Sequence, residues 1–115
     1  MVDDIRIDCR LTLGQDLADL GGTILAHAAW KAKTADQVLN SRDGYPPHQR
    51  FFSAMAQWAW GNERPERLRL RAATDPRSPG RHRVNGVVAN IPEFAKAFSC
   101  KPGQPMVRER PCRLC

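Results

Sequence analysis

Apolar residues recur at intervals of three and four along most of the chain, the spacing of one face of an α-helix. The first such face consists of Leu17, Leu20, Ile24, Leu25 and Ala28, with Trp30 extending it. A second, broader face consists of Phe51, Phe52, Met55, Ala56, Trp58 and Ala59. The pattern predicts helices over residues 15–33 and 47–60, a third from Pro65 through Ala72, and a last one that begins at Pro92.

Turn-forming residues separate these helices. Residues 34–40 are predicted to form a short helix capped by Thr34, and residues 41–44 a tight turn. Residues 75–86 contain two prolines and two glycines, so we expect an ordered loop there instead of a helix. Apolar and polar residues alternate over residues 4–8, which predicts a short strand or an extended lead-in. The predicted fold is mainly α: several packed helices, a short N-terminal strand and a Pro/Gly-rich loop, in a single domain of residues 1–115.

Two polar side chains, Gln15 and Asp19, stand four residues apart in the first predicted helix. Residues four apart share a helix face, so both are expected to point the same way. Polar groups aimed inward beside an apolar face are typical of a helix that presents ligands to a buried site. The alternative is an ordinary amphipathic helix whose polar stripe faces water.

Three other residues of this helix are informative. Gly21 and Gly22 favour the close approach of another backbone, because glycine inside a helix costs about 1 kcal/mol relative to alanine. His27 has no second histidine or carboxylate at ligand spacing beside it. We therefore expect His27 to be packed or exposed, and not to bind a metal.

The chain is basic, with a formal net charge of +6 over 115 residues. Arginines cluster between Arg64 and Arg83, and again at Arg108, Arg110 and Arg113. A basic helical module that binds nucleic acid or an acidic partner is therefore an alternative function, although no nucleic-acid motif accompanies the charge. The sequence contains no apolar run long enough to span a membrane, and residues 1–8 lack the apolar segment of a signal peptide.

The four cysteines are Cys9, Cys100, Cys112 and Cys115, and the last two form a lone C-x-x-C. A zinc ribbon needs a second such pair, and neither Cys9 nor Cys100 has a neighbouring partner. A small thiol–metal domain that uses Cys100, Cys112 and Cys115 is therefore a third and less favoured hypothesis.

Four stretches, in collinear order, resemble motifs of the neprilysin and endothelin-converting-enzyme family of zinc metallopeptidases. Residues 11–22, L-T-L-G-Q-D-L-A-D-L-G-G, resemble the family's G-E-N-x-A-D segment. Residues 44–57 are similar to G-x-x-x-x-Q-R-F-F-x-x-x-A-Q, residues 75–86 to D-x-H-S-P-x-x-x-R-V-x-G, and residues 90–100 to N-x-x-E-F-x-x-A-F-x-C. The last four residues resemble the family's C-terminal C-R-x-W. The resemblance implies the C-terminal part of a larger, gluzincin-type catalytic domain.

The resemblance also implies roles for individual residues. Gln15 occupies the position of a glutamate that binds zinc, and Asp19 matches an aspartate that orients a zinc-binding histidine of an H-E-x-x-H helix. Arg83 matches an arginine that grips the backbone of the peptide substrate. Arg77 replaces a histidine that stabilises the oxyanion; it can still donate hydrogen bonds but cannot exchange a proton at neutral pH.

The same resemblance has implications for two of the cysteines and for the location of the intact proteins. In extracellular members, cysteines matching Cys100 and Cys112 form disulfides with cysteines outside the region covered here. We therefore expect these two thiols to be free or paired differently. Intact members of the family are usually extracytoplasmic or anchored to a membrane.

The leading hypothesis is a segment of a neprilysin-like zinc metalloendopeptidase that is inactive alone. A catalytic zinc needs three protein ligands, but the chain contains no H-E-x-x-H and the neutral amide of Gln15 supplies no charge. Zinc is thus expected in the intact family and not tightly bound by this chain. A separate N-terminal half carrying H-E-x-x-H is the expected partner, covering apolar faces that include Trp30, Trp58 and Trp60.

Overall fold

The structure, a computed structural model, describes residues 6–112, and within them the chain forms five helices joined by turns. These are α1 (Cys9–Lys33), α2 (Pro47–Trp58), α3 (Pro65–Thr74), α4 (Gly80–Val88) and α5 (Pro92–Ala97). The predicted mainly α fold is confirmed. The strand predicted over residues 4–8 lies partly outside the described residues, and its described end, residues 6–8, has no regular structure. No helix within residues 6–112 has the length and apolar character needed to cross a membrane.

The first helix begins earlier than predicted because Asp8 caps it. The Asp8 carboxylate accepts a hydrogen bond from the backbone N–H of Arg10 at 2.9 Å, which satisfies one of the unpaired donors of the first turn. At the other end, the Thr34 hydroxyl donates to the Trp30 carbonyl at 2.8 Å and so closes α1. The helix predicted over residues 34–40 is wrong: this segment is a turn followed by irregular chain. Val38, 89% exposed, has no apolar face to pack against.

The turn predicted at residues 41–44 is confirmed. Arg42 and Tyr45 exchange backbone hydrogen bonds of 3.1 and 2.9 Å. Between them Asp43 and Gly44 have φ angles of 51° and 79°, the left-handed values of a type I′ turn. The predicted prolines do start α2, α3 and α5, whereas α2 ends at Trp58, two residues before the predicted end.

The hydrophobic core lies where α1, α2 and α4 meet, next to α5. Its buried members are Leu20, Phe52, Val87, Val88 and Ile91, each with at most 4% of its surface exposed. Partly buried residues, among them Ile24, Phe51, Met55 and Phe94, pack around it. Leu25 was predicted to lie on the apolar face of α1 but is 72% exposed. The buried core cluster is therefore small.

The loop predicted over residues 75–86 is wrong beyond Pro79, because α4 begins at Gly80. The prolines precede the helix, where they are tolerated, and Val87 and Val88 anchor it to the core. Gly80 is also where a close backbone approach occurs: a Cβ atom there would collide with the carbonyl oxygen of Ala59. The close approach predicted at Gly22 is wrong, since a Cβ atom there would meet nothing within 4 Å.

Several large apolar side chains remain exposed. Besides Leu25 and Val38, Trp60 is 83% exposed, Leu70 64% and Tyr45 55%. A contiguous exposed apolar patch is typical of a face that another polypeptide covers, whereas single exposed apolar side chains are common on monomers. The expectation of a partner half stays a prediction.

Candidate functional site

α1 places Gln15 and Asp19 on one face, as their spacing predicted. The amide Nε2 of Gln15 donates a hydrogen bond to Oδ1 of Asp19 at 2.8 Å. Both side chains are partly buried, and their shared face is turned towards Arg83 of α4. The alternative of a polar stripe in open water therefore does not apply to these two residues.

Arg83 binds Asp19 through both carboxylate oxygens. Its Nε donates to Oδ2 at 2.7 Å and its Nη2 donates to Oδ1 at 2.9 Å. Only 18% of the Arg83 side chain and 14% of the Asp19 side chain are exposed. The hydrogen bonds with Asp19 raise the pKa of Arg83 above its usual value, so the guanidinium stays charged. Its Cζ lies 4.3 Å from the centre of the Trp58 ring, a cation–π arrangement.

A second carboxylate of α1, Asp16, fixes the start of α4 and was missed by the sequence analysis. Its Oδ2 accepts hydrogen bonds from Thr12 Oγ1 at 2.9 Å and from Ser78 Oγ at 3.1 Å. Thr12 and Ser78 are 1% and 2% exposed. Because Ser78 comes two residues before α4, this anchor sets the position of Arg83. The Ser-Pro pair at residues 78–79 was visible in the sequence, but its partner 62 residues away was not.

Arg77, the other predicted catalytic position of the 77–83 segment, is directed elsewhere. Its backbone N–H and its Nε donate to Oδ1 of Asp75 at 2.9 and 3.3 Å. The Arg77 side chain is 61% exposed. The structure thus brings Gln15, Asp19 and Arg83 together, and leaves Arg77 in a local ion pair at the surface.

Much of the arginine cluster is paired with carboxylates. Glu63 accepts from Arg71 at 2.8 Å and lies 3.3 Å from Arg67, and Asp75 accepts from Arg71 at 3.2 Å. Nucleic-acid interfaces need arginines that reach phosphates. Arg71 has two carboxylate partners within the chain, whereas the Arg67 side chain remains 73% exposed. The alternative of a basic binding module stays a prediction.

His27 has a histidine partner that the sequence did not indicate. Its Nε2 lies 3.3 Å from Nδ1 of His48 on α2, and its ring stacks on Phe52 with centroids 5.2 Å apart. His27 is 4% exposed, as expected of a packed histidine. Burial, and next the nearby His48, lower the pKa of His27. Its environment therefore favours the neutral ring.

The side chains present do not fit a catalytic zinc ion. Such a site needs three protein ligands, of which at least some carry negative charge or are imidazole. Within residues 6–112 no three His, Cys, Asp or Glu side chains come together as a possible metal site. Gln15 offers only a neutral amide oxygen, and Asp19 already accepts three hydrogen bonds. Cys9, Cys100 and Cys112 are free thiols, and Cys115 lies outside the described residues.

Sequence comparison places nearly the whole chain in one family. The model of peptidase family M13 matches residues 2–114. Neprilysin-1 of Caenorhabditis elegans is 40% identical over 114 residues, which are 95% of this chain and 15% of that protein. Endothelin-converting enzyme 1 of Bos taurus is 38% identical over 113 residues, 94% of this chain and 15% of that protein. The chain thus spans about 15% of the length of these relatives.

Solved structures agree with the sequence comparison. The zinc metalloprotease Zmp1 of Mycobacterium tuberculosis in its open state superimposes with a TM-score of 0.86 at 30% identity, over 94% of this chain and 17% of that one. Its complex with an inhibitor gives 0.88 at 28% identity, over 97% and 18% of the two chains. The helical arrangement is therefore that of part of a zinc metalloprotease. The chain belongs to peptidase family M13, the zinc metallopeptidases that include neprilysins and endothelin-converting enzymes.

Proposed function

We propose that this chain is the C-terminal segment of a neprilysin-like zinc metalloendopeptidase domain, and that it serves to hold the peptide substrate. The observation that carries the proposal is the two-point bond between Arg83 and Asp19, with 18% of the arginine still exposed. An ion pair between α1 and α4 that is mostly shielded from water, yet open on one side, suits a binding group better than a purely structural one.

The geometry explains how Arg83 would act. A guanidinium has five N–H donors, and Asp19 engages Nε and Nη2. The remaining donors, chiefly those of Nη1, are available to the carbonyl oxygen of a bound peptide. Asp19 fixes the plane of the guanidinium and Trp58 covers one of its faces, so Arg83 loses little freedom when a peptide binds.

Asp19 has capacity for one further contact in the intact protein. A carboxylate offers about four acceptor positions, and Gln15 and Arg83 occupy three of them. The fourth would accept the N–H of a histidine from an H-E-x-x-H helix supplied by another polypeptide segment. In this proposal Asp19 is a positioning residue, for Arg83 within the chain and for a histidine from outside it.

The 115-residue chain alone is proposed to cleave no peptide and to hold no tightly bound zinc. Its sequence contains no H-E-x-x-H, and Gln15 cannot replace a carboxylate that helps neutralise Zn²⁺. Arg77 does not restore a proton-transfer group, since a guanidinium stays protonated. The proposed whole is a metalloendopeptidase assembled with a segment that carries the missing ligands and covers the exposed apolar side chains.

The test measures hydrolysis of a fluorogenic peptide and zinc content of the purified chain. We expect no hydrolysis above background and much less than one zinc per chain. Association is then measured by size-exclusion chromatography after mixing the chain with C. elegans Neprilysin-1 from which the matching 114 residues have been deleted. Recovery of stable association would support the proposal. Metal-dependent hydrolysis by the chain alone that survives repurification, or no association with the deleted relative, would overturn it.

A further inference from the structure

A wide groove of about 1140 Å³ runs along α2, apart from the candidate functional site. α2 contributes lining residues from Pro47 to Gln57. The others come from Trp30 near the end of α1 and from the segment of residues 38–45. None of the three residues that meet at the candidate site is among them, so the groove is a second, separate surface of the chain.

Apolar side chains make up much of this groove. Trp30 and Phe51 pack on each other with ring centroids 5.4 Å apart, which holds this part of the surface in place. Beside them Val38 is 89% exposed, Tyr45 55% and Leu39 39%. These apolar residues line one groove together, which distinguishes them from apolar side chains scattered singly over a surface.

Two arginines, Arg42 and Arg50, are the charged residues that line the groove. Within residues 6–112 neither guanidinium forms an ion pair or a side-chain hydrogen bond. Arg42 is paired with Tyr45 across the type I′ turn, so their side chains lie on the same side of that turn. The other charged residues of the neighbouring segments balance one another in number and do not line the groove: Lys31, Lys33, Asp36 and Asp43.

The charge of the groove selects among possible occupants. An arginine without a carboxylate partner can bind one from another molecule in a two-point geometry. A second copy of the chain is a poor match, because each copy carries a net charge of +6. Nucleic acid is also a poor match, because two arginines meet few phosphates, and Val38, Leu39 and Met55 offer no ring on which a base can stack. The combination favours an acidic segment of another protein.

The length of the groove favours a helix as that segment. The lining residues of α2 span residues 47–57, which is about 15 Å at about 1.5 Å per residue, or roughly three helical turns. Ser53 and Ala54 are exposed and small, so a second helix can approach α2 closely there. An amphipathic helix that lays its apolar face in a hydrophobic groove is a recurring mode of protein recognition.

We infer that this groove docks an acidic amphipathic helix of a partner protein. The apolar face of that helix packs on Val38 and Leu39, and its carboxylates bind Arg42 and Arg50. Neither zinc, nor a peptide substrate, nor an H-E-x-x-H segment enters this inference. It therefore goes beyond the proposed function, and each of the two can fail without the other.

The test measures binding of fluorescently labelled helical peptides of about 14 residues to the 115-residue chain, by anisotropy at low ionic strength. One peptide has leucines at helical spacing and glutamates on its other face, and a second has glutamine in place of every glutamate. A third contains the residues of the first in scrambled order. We expect the glutamate peptide to bind about fivefold tighter than the glutamine peptide, as two exposed charge pairs do at low salt. Scrambled and ordered peptides that bind equally well, or no binding at millimolar concentration, would overturn the inference.

Variants separate the groove from the overall charge. Arg42→Gln combined with Arg50→Gln is expected to reduce the preference for glutamate to less than about twofold, while the glutamine peptide binds as before. The control combines Arg10→Gln with Arg110→Gln, which removes the same charge from exposed positions outside the groove and should keep the preference. Equal losses in the two double variants would show that only net charge attracts the peptide, and would refute the docking site.

The apolar contact is tested with Val38→Ser, which should weaken the glutamate and glutamine peptides alike by about fivefold because less apolar surface is buried on binding. Leu25→Ser is the matched control, since Leu25 is 72% exposed on α1 and does not line the groove. Unchanged binding by Val38→Ser contradicts the inference. So does a single-stranded oligonucleotide that displaces the glutamate peptide and binds more tightly, or a dimer of the chain that Val38→Ser abolishes, because each identifies a different occupant.

Discussion

Replacing Asp19 by asparagine isolates the interaction on which the site depends. Asparagine keeps one oxygen acceptor but removes the charge and one of the two bonds made by Arg83 at 2.7 and 2.9 Å. A hydrogen bond to a charged group contributes about 1.5–3 kcal/mol. The pair is 18% and 14% exposed, so it is too shielded to be treated as a surface ion pair and too open for a fully buried one. We expect a loss of about 2 kcal/mol, or a fall in Tm of roughly 8 °C.

The assay is urea unfolding followed by circular dichroism at low micromolar concentration, carried out as a double-mutant cycle with Arg83→Gln. The coupling energy between the two positions should be about 2 kcal/mol. The control is the same cycle for Glu63→Gln and Arg67→Gln, since 73% of Arg67 is exposed and the expected coupling is below about 0.5 kcal/mol. If the coupling between Asp19 and Arg83 is no larger than in this control, the two residues form an ordinary surface ion pair that does not fix α4 on α1.

Three further changes test the fold. Burial lowers the pKa of His27, so near pH 6.5 the unfolded chain binds more protons than the folded chain. The urea midpoint should therefore fall as the pH drops below about 6.5. The fall should be smaller in His48→Gln, because His48 also lowers the pKa of His27. Phe52→Ala, at a residue 2% exposed, should cost about 3–5 kcal/mol by the same urea assay; a cost under 1 kcal/mol would contradict the assigned core. Gly80→Ala should destabilise the chain by about 1–3 kcal/mol because its Cβ would meet the carbonyl of Ala59, and an unchanged Tm would refute that contact.

The sequence predicted the helices that have a strong apolar face or a proline start. The aromatic face of α2 and the prolines that begin α2, α3 and α5 are local signals, and the structure uses them as expected. α4 was missed because its glycines and preceding prolines resemble a loop. What makes it a helix is burial of Val87 and Val88 against α1 and α2, a long-range effect that no local pattern contains.

The exact helix ends and the set of residues that meet at the site also depend on long-range contacts that the local sequence does not contain. The carboxylate of Asp8 and the hydroxyl of Thr34 could each cap a helix in several ways, and their actual bonds depend on the neighbouring backbone. Gln15 and Asp19 were found from their spacing, whereas the link from Asp19 to Arg83 spans 64 residues. Resemblance to a family suggested that these residues belong together, and the geometry supplied the reason: one guanidinium between α1 and α4.

Glutamine at position 15 is electrostatically compatible with its neighbours Asp19 and Arg83. A glutamate there would stand one helical turn from Asp19, and like charges at that spacing repel unless a cation neutralises them. Arg83 carries one positive charge against two carboxylates, so a glutamate at position 15 would leave a repulsion of about 0.2–0.5 kcal/mol that a cation would relieve. The amide of Gln15 instead donates to Asp19 at 2.8 Å and so helps to orient the carboxylate that binds Arg83. With glutamine at position 15, Asp19 therefore holds Arg83 in place without a metal ion.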